Sequence, residues 1–162
     1  MPKLEYQVPL SFSQDLRENP IGSGHFFPAS KTISPPGVEG IAKICFNEEL
    51  STLSLNLEVH GDLTGDRAVT LAHLHLDEAS QTGPLTVELY PSPNAKVKTK
   101  KDRQFLLEVT LTNKDIIPRN NGSFATNTIS SLYNAIQGRN LYVDVHGKGD
   151  YLLGMIRGQI YT

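Results

Sequence analysis

Apolar side chains recur at every second position along most of the chain. Leu4, Tyr6, Val8, Leu10 and Phe12 form the first such series, and Val38, Gly40, Ala42, Ile44 and Phe46 form the next. Leu53, Leu55, Leu57 and Val59 alternate with Ser54, Asn56, Glu58 and His60. Further series run through Leu85, Val87 and Leu89, through Phe105, Leu107, Val109 and Leu111, and through Leu141, Val143 and Val145. Ile156, Gly158 and Ile160 close the pattern. A period of two places alternate side chains on opposite faces, so each series predicts a half-buried strand. Turn-forming stretches such as SPPG, HGDLTGD, SQTGP, YPSPN and NNGS separate them,. Many short strands with such punctuation predict an all-β fold, an antiparallel sandwich or flattened barrel. One segment breaks the period. Ile129, Leu132, Tyr133 and Ile136 fall at helical spacing, which predicts a short helix over about 128–137,. Asn127 or Thr128 can cap its start, and Gly138 can take a left-handed exit position.

The stretch VTLAHLHL, residues 69–76, places two histidines on one face of a predicted strand. Burying Ala72, Leu74 and Leu76 frees His73 and His75 for the opposite face, the cheaper arrangement because an unpaired buried imidazole is costly. By the same phase Tyr142, Asp144 and His146 face away from Val143 and Val145, and Arg157 and Gln159 face away from Ile156 and Ile160,. If these strands are neighbours, the seven polar residues share one outer surface. Side chains two apart on a strand lie roughly 6.5–7 Å apart. Two imidazoles can converge from there on one ion at about 2.0–2.1 Å, and a third from another strand completes the set. Ligation by His73, His75 and His146 suits Zn²⁺ or Cu²⁺. Asp144 would orient a ring N–H, and Tyr142, Arg157 and Gln159 would complete the polar surroundings. The competing reading is a metal-free hydrogen-bond network that holds the strands in register. Arg157 reads as structural, locking the last strand against Tyr142 and Asp144. His60 and His25 read as ordinary histidines.

Composition narrows the function classes. The chain has 162 residues, enough for one domain, and a net charge of −2, which gives no basic field for nucleic acid or anionic lipid,. No apolar run is long enough to span a bilayer. The first residues lack the pattern of a signal peptide, so the protein is expected to be cytoplasmic unless a leader was removed. The single cysteine, Cys45, precludes an internal disulfide and reads as a small packed residue,. The lysine-rich run at 96–103 reads as a blunted edge strand or solvated loop, and Asn121-Gly122-Ser123 as a chance glycosylation triplet,. No nucleophile elbow, P-loop or dinucleotide fingerprint appears, so no catalytic residue is assigned.

From about residue 24 to 161 the chain resembles the CHRD domain family, the module named for chordin. The resemblance is carried by SPPGVEGIAKICF, LSLNLEV, DLTG, AHLH, TGPLTVEL, GRNLYVDVH and GMIRGQI, all in family order. Leu76, Asp144 and Met155 depart from the family pattern. Residues 1–23 form an N-terminal extension to what is otherwise a single domain. A second likeness is narrower: AHLH and GRNLYVDVH are similar to the two copper-ligand segments of copper–zinc superoxide dismutases. The resemblances imply a Greek-key, superoxide-dismutase-like sandwich, a secreted or envelope-associated location once a leader is removed, and a non-enzymatic module with a surface histidine site for copper or zinc. A protein partner goes with the module reading. The alternative is a copper-dependent redox enzyme.

Overall fold

The computed structural model describes residues 3–12, 34–79 and 81–162. His25 and the Gly-Ser-Gly at 22–24 lie outside the described residues. The described chain forms two main antiparallel sheets. In the first, β1 (Glu5–Leu10), β2 (Val38–Phe46), β3 (Thr52–Gly61), β7 (Gln104–Thr112) and β6 (Ala95–Lys101) lie side by side in that order. In the second the order is β11 (Ile156–Gln159), β10 (Leu141–His146), β4 (Leu71–Leu76) and β5 (Leu85–Tyr90). A small ribbon pairs β8 (Arg119–Asn120) with β9 (Ala125–Thr126). The consecutive strands β3 and β4 lie in different sheets, and β3 pairs with β7 instead, a Greek-key connection,.

The core is built by the inward phase that the alternation predicts. Leu53, Leu55, Leu57 and Val59 are fully buried on β3, and Val143 and Val145 face them from the second sheet's β10 with no exposure. At one edge the sheets are stitched together. Ser11 and Arg157 exchange backbone hydrogen bonds of 3.0 and 3.1 Å. The approach there is so close that a Cβ at Gly158 would lie 2.4 Å from the Pro9 carbonyl oxygen, which is why only glycine fits,. The sheets do not close into a barrel.

The helix α1 (Ile129–Gln137) forms as the spacing predicts and buries Ile129, Leu132, Ala135 and Ile136. Thr128 is the cap: its hydroxyl accepts from Ser131 N, while Ser131 Oγ accepts from Thr128 N,. Tyr133 packs edge-on against Phe46, and Gln137 Nε2 donates to the Tyr6 hydroxyl, so the helix closes one end of the sandwich. The exit differs from expectation. Gly138 has φ −85°, and Arg139 takes the left-handed conformation at φ 57°. Gly138 is needed for space instead, because a Cβ there would lie 2.0 Å from the Phe124 ring.

Cys45 is exposed, not packed. Its neighbours Ile44 and Phe46 occupy the inward phase of β2, so Cys45 between them must point outward,. The lysine run forms β6, at the edge of the larger sheet, with a register shift between Val97 and Thr99. Charge and irregularity there discourage pairing with another edge. Asn121 builds a turn: its Oδ1 accepts from Ser123 N and Phe124 N. Among the described residues no helix is long and apolar enough to cross a membrane.

Candidate metal centre

On β4, β10 and β11 the outward phase of the second sheet is not a solvated surface. Tyr142, Asp144, His146, Arg157 and Gln159 are all buried, as are His73 and His75. The strand phase is as expected, and the expected surface location is not. Two connections fold over this face, and they hold it through main-chain carbonyls. From the β4–β5 connection, Gln81 O and Glu78 O accept from Arg157 Nη1 and Nη2 at 2.7 and 2.9 Å. Asp77 O accepts from Gln159 Nε2 at 3.0 Å, and Arg139 O accepts from the same nitrogen at 2.8 Å. Backbone acceptors leave no residue-type signature in a sequence, so this cover was not legible there.

Strand register sets the site. His73 on β4 lies directly opposite Asp144 on β10, and His75 lies opposite Tyr142. On the other side of β10, Asp144 faces Arg157 and Tyr142 faces Gln159. Arg157 stacks its guanidinium 3.4 Å from the centre of the Tyr142 ring, and Tyr142 stacks on His75 at 5.0 Å with the rings nearly parallel. The three side chains thus form one continuous pile that fixes the plane of the His75 imidazole. Arg157 thereby joins the Tyr142 ring to the carbonyls of Gln81 and Glu78. Burial raises the Tyr142 phenol well above its ordinary value, with the charge of Arg157 opposing that only in part.

His73, His75, Asp144 and His146 converge, each offering one donor atom, with all four atoms within 4.8 Å of one another. Asp144 lies among the three histidines and offers a carboxylate oxygen to the same point. Its Oδ2 lies 2.9 Å from His146 Nε2 and 3.1 Å from His75 Nε2, and its Oδ1 lies 3.6 Å from His73 Nδ1. The remaining nitrogens of two rings are committed. His75 Nδ1 is 2.9 Å from Gly83 O, and His146 Nδ1 is 2.9 Å from Leu152 O. A carbonyl only accepts, so both Nδ1 atoms carry the hydrogen and both Nε2 atoms of the neutral rings carry lone pairs.

Three lone-pair atoms therefore meet: two imidazole nitrogens and a carboxylate oxygen. Such a meeting is repulsive unless a cation lies among them, either a proton that makes His146 an imidazolium or a metal ion. His73 Nδ1, His75 Nε2 and Asp144 Oδ1 are sealed from solvent without a hydrogen bond. Burial disfavours the charged Asp144 carboxylate, yet positive charge on the adjoining His75 and His146 rings, with the hydrogen bond from His146, outweighs it and holds the group well below the usual range,. A tetrahedral ion at about 2.1 Å would set its donors roughly 3.4 Å apart, inside the span that these atoms already occupy. The group can hold a metal ion, and three imidazoles with one carboxylate suit the zinc or copper class better than calcium or magnesium,. His60 lies elsewhere, exposed and 3.5 Å from Glu58, as an ordinary surface histidine.

A family model described as "CHRD domain" matches residues 27–160. No curated protein and no solved structure matches the chain, so the superoxide-dismutase likeness rests on two short strand motifs alone.

Proposed function

The chain belongs to the CHRD domain family; from that premise we propose that it is a non-enzymatic binding module that carries one zinc- or copper-class ion. His73 would donate through Nδ1, His75 and His146 through Nε2, and Asp144 through its carboxylate. The observation that carries the reading is the convergence of lone pairs on Asp144 Oδ2 from two rings whose Nδ1 hydrogens are already committed to Gly83 and Leu152. A site held on paired strands, with its imidazoles oriented by main-chain carbonyls, is preorganised for an ion. The ion would fasten β4 to β10 and would anchor the two connections that supply those carbonyls. That gives it a structural role in presenting a surface to a protein partner.

Elemental analysis tests the reading. Protein stripped with a chelator and reloaded with Zn²⁺ or Cu²⁺ should retain about one ion per chain after gel filtration, and a His73→Ala/His75→Ala variant should retain none. Native protein that keeps no ion at pH 7.5 would leave the protonated polar network as the account of this cluster.

A further inference from the structure

Two of the three imidazoles have their second nitrogen tied to a main-chain carbonyl, Gly83 for His75 and Leu152 for His146. His73 is the exception. Its Nδ1 is the sealed nitrogen facing Asp144. Among the described residues its Nε2 makes no hydrogen bond, and it is not one of the sealed polar atoms, so it keeps contact with solvent. A metal bound at one imidazole nitrogen makes the N–H at the other a better donor, and such an N–H is ordinarily held by a carboxylate or a carbonyl.

The ladder between β4 and β5 brings one carboxylate to that place. Glu88 pairs directly with His73, and directly opposite residues hold their Cβ atoms about 4.5–5.5 Å apart on one face,. Val87 and Leu89 are fully buried on the inner side, which turns Glu88 outward with His73. A register shift lies beside this pair, between Ala72 and His73, and such irregularities re-aim a side chain,. Arg157, Asp144, His73 and Glu88 consequently form one row across β11, β10, β4 and β5. Glu88 is exposed, and among the described residues its carboxylate has no hydrogen bond or ion pair.

We infer that Glu88 is a positioning residue of the metal centre. When a metal occupies His73 Nδ1, the Glu88 carboxylate accepts the Nε2–H and does for the third imidazole what Gly83 and Leu152 do for the other two. The inference rests on the metal reading above. It adds a residue that touches no ion and belongs to no histidine motif.

Zn²⁺ affinity, measured by competition with a chelator at 0.1 M and 1 M salt, tests it. The proteins compared are the native chain, Glu88→Gln, Glu88→Asp and, as a charge control, Glu48→Gln, an exposed acid in the β2–β3 turn. Glu88→Gln should bind Zn²⁺ about tenfold or more weakly, Glu88→Asp should recover part of the loss, and Glu48→Gln should match the native chain. The metal-free melting temperature should be the same for native and Glu88→Gln protein. The loss should persist at 1 M salt, where a Debye length of about 3 Å removes the general attraction of a surface charge. Native-like affinity in Glu88→Gln, a loss that disappears at 1 M salt, or an equal loss in Glu48→Gln would each overturn the role. Native protein that binds no Zn²⁺ would overturn the metal reading itself, and the role of Glu88 with it.

Discussion

The two sheets present the same kind of inner face to the core, and their outer faces meet opposite fates. On β3 of the larger sheet, Leu53, Leu55, Leu57 and Val59 point inward while Ser54, Asn56 and His60 lie in solvent. On β10 of the smaller sheet, Val143 and Val145 point inward, and the outward Tyr142, Asp144 and His146 are buried too. A polar group in solvent costs nothing to keep, whereas a buried one costs several kcal/mol unless it is paired. The covered face therefore must satisfy its polar groups. Arg157 and Gln159 do so through four carbonyls. At the histidine cluster the pairing requires a cation.

Removing a charge from each outer face should separate the two sheets by the widest margin. Arg157→Ala should lower stability by about 3 kcal/mol, because it strips donors from two partly buried carbonyls, removes the stack from Tyr142 and empties a buried position,. Lys43→Ala, on the solvated face of β2, should stay within about 0.5 kcal/mol of native,. Equal urea midpoints for the two variants would mean that the second sheet's outer face is not closed. Next in size is the inner face that both sheets share. Val145→Ala should cost roughly 1–3 kcal/mol through lost burial and a cavity. An unchanged midpoint would contradict the strand phase of β10.

Much of this was legible in the alternation alone. Period two located β1, β2, β3, β5, β7, β10 and β11 and sorted Val145 from His146, and helical spacing located α1; β6 was read only as a blunted edge strand or a loop. The three histidines and Asp144 were legible as a shared face only on the condition that Ala72 and Leu74 face inward and the two strands are neighbours, which alternation alone left open. Their burial was not legible, since Asp77, Glu78, Gln81, Gly83 and Leu152 act there through backbone oxygens. Which residues lie opposite one another was likewise beyond a single-strand pattern. Register sets Asp144 opposite His73 on one neighbouring strand and Glu88 opposite it on the other. Cys45 was misassigned because apolar neighbours in sequence were read as neighbours in space, although adjacent strand residues point to opposite faces.

A smaller effect distinguishes the faces by pH. Tyr142 has its phenol raised by burial. A group whose folded value lies above its unfolded value of about 10 contributes stability that is fully present below pH 10 and is lost as pH rises through the folded value. Native protein should therefore lose stability above pH 10 more steeply than Tyr142→Phe, in denaturant titrations across that range. Parallel slopes would mean that the ring is reached by solvent. The smallest expected effect is on redox chemistry. Between His75 and His146 the sequence has no histidine, so a copper ion held by the cluster would lack the bridging imidazole and adjacent zinc of the dismutases that two of its motifs resemble. Copper-loaded protein should show no more superoxide dismutation than a copper–peptide complex; a fast rate abolished by His146→Ala would place the protein among redox enzymes.

If the buried lone pairs around Asp144 serve a metal ion, Zn²⁺ must shift the thermal unfolding of the chain. An ion bound only by the folded chain stabilises it by about 2.7 kcal/mol at a hundred times its Kd. For a chain of this length that corresponds to a melting temperature higher by roughly 5–10 °C. Such a rise is expected at pH 7.5 in native protein, with its loss in His73→Ala/His75→Ala. A native melting curve unmoved by saturating Zn²⁺ or Cu²⁺ at pH 7.5 would contradict the metal reading.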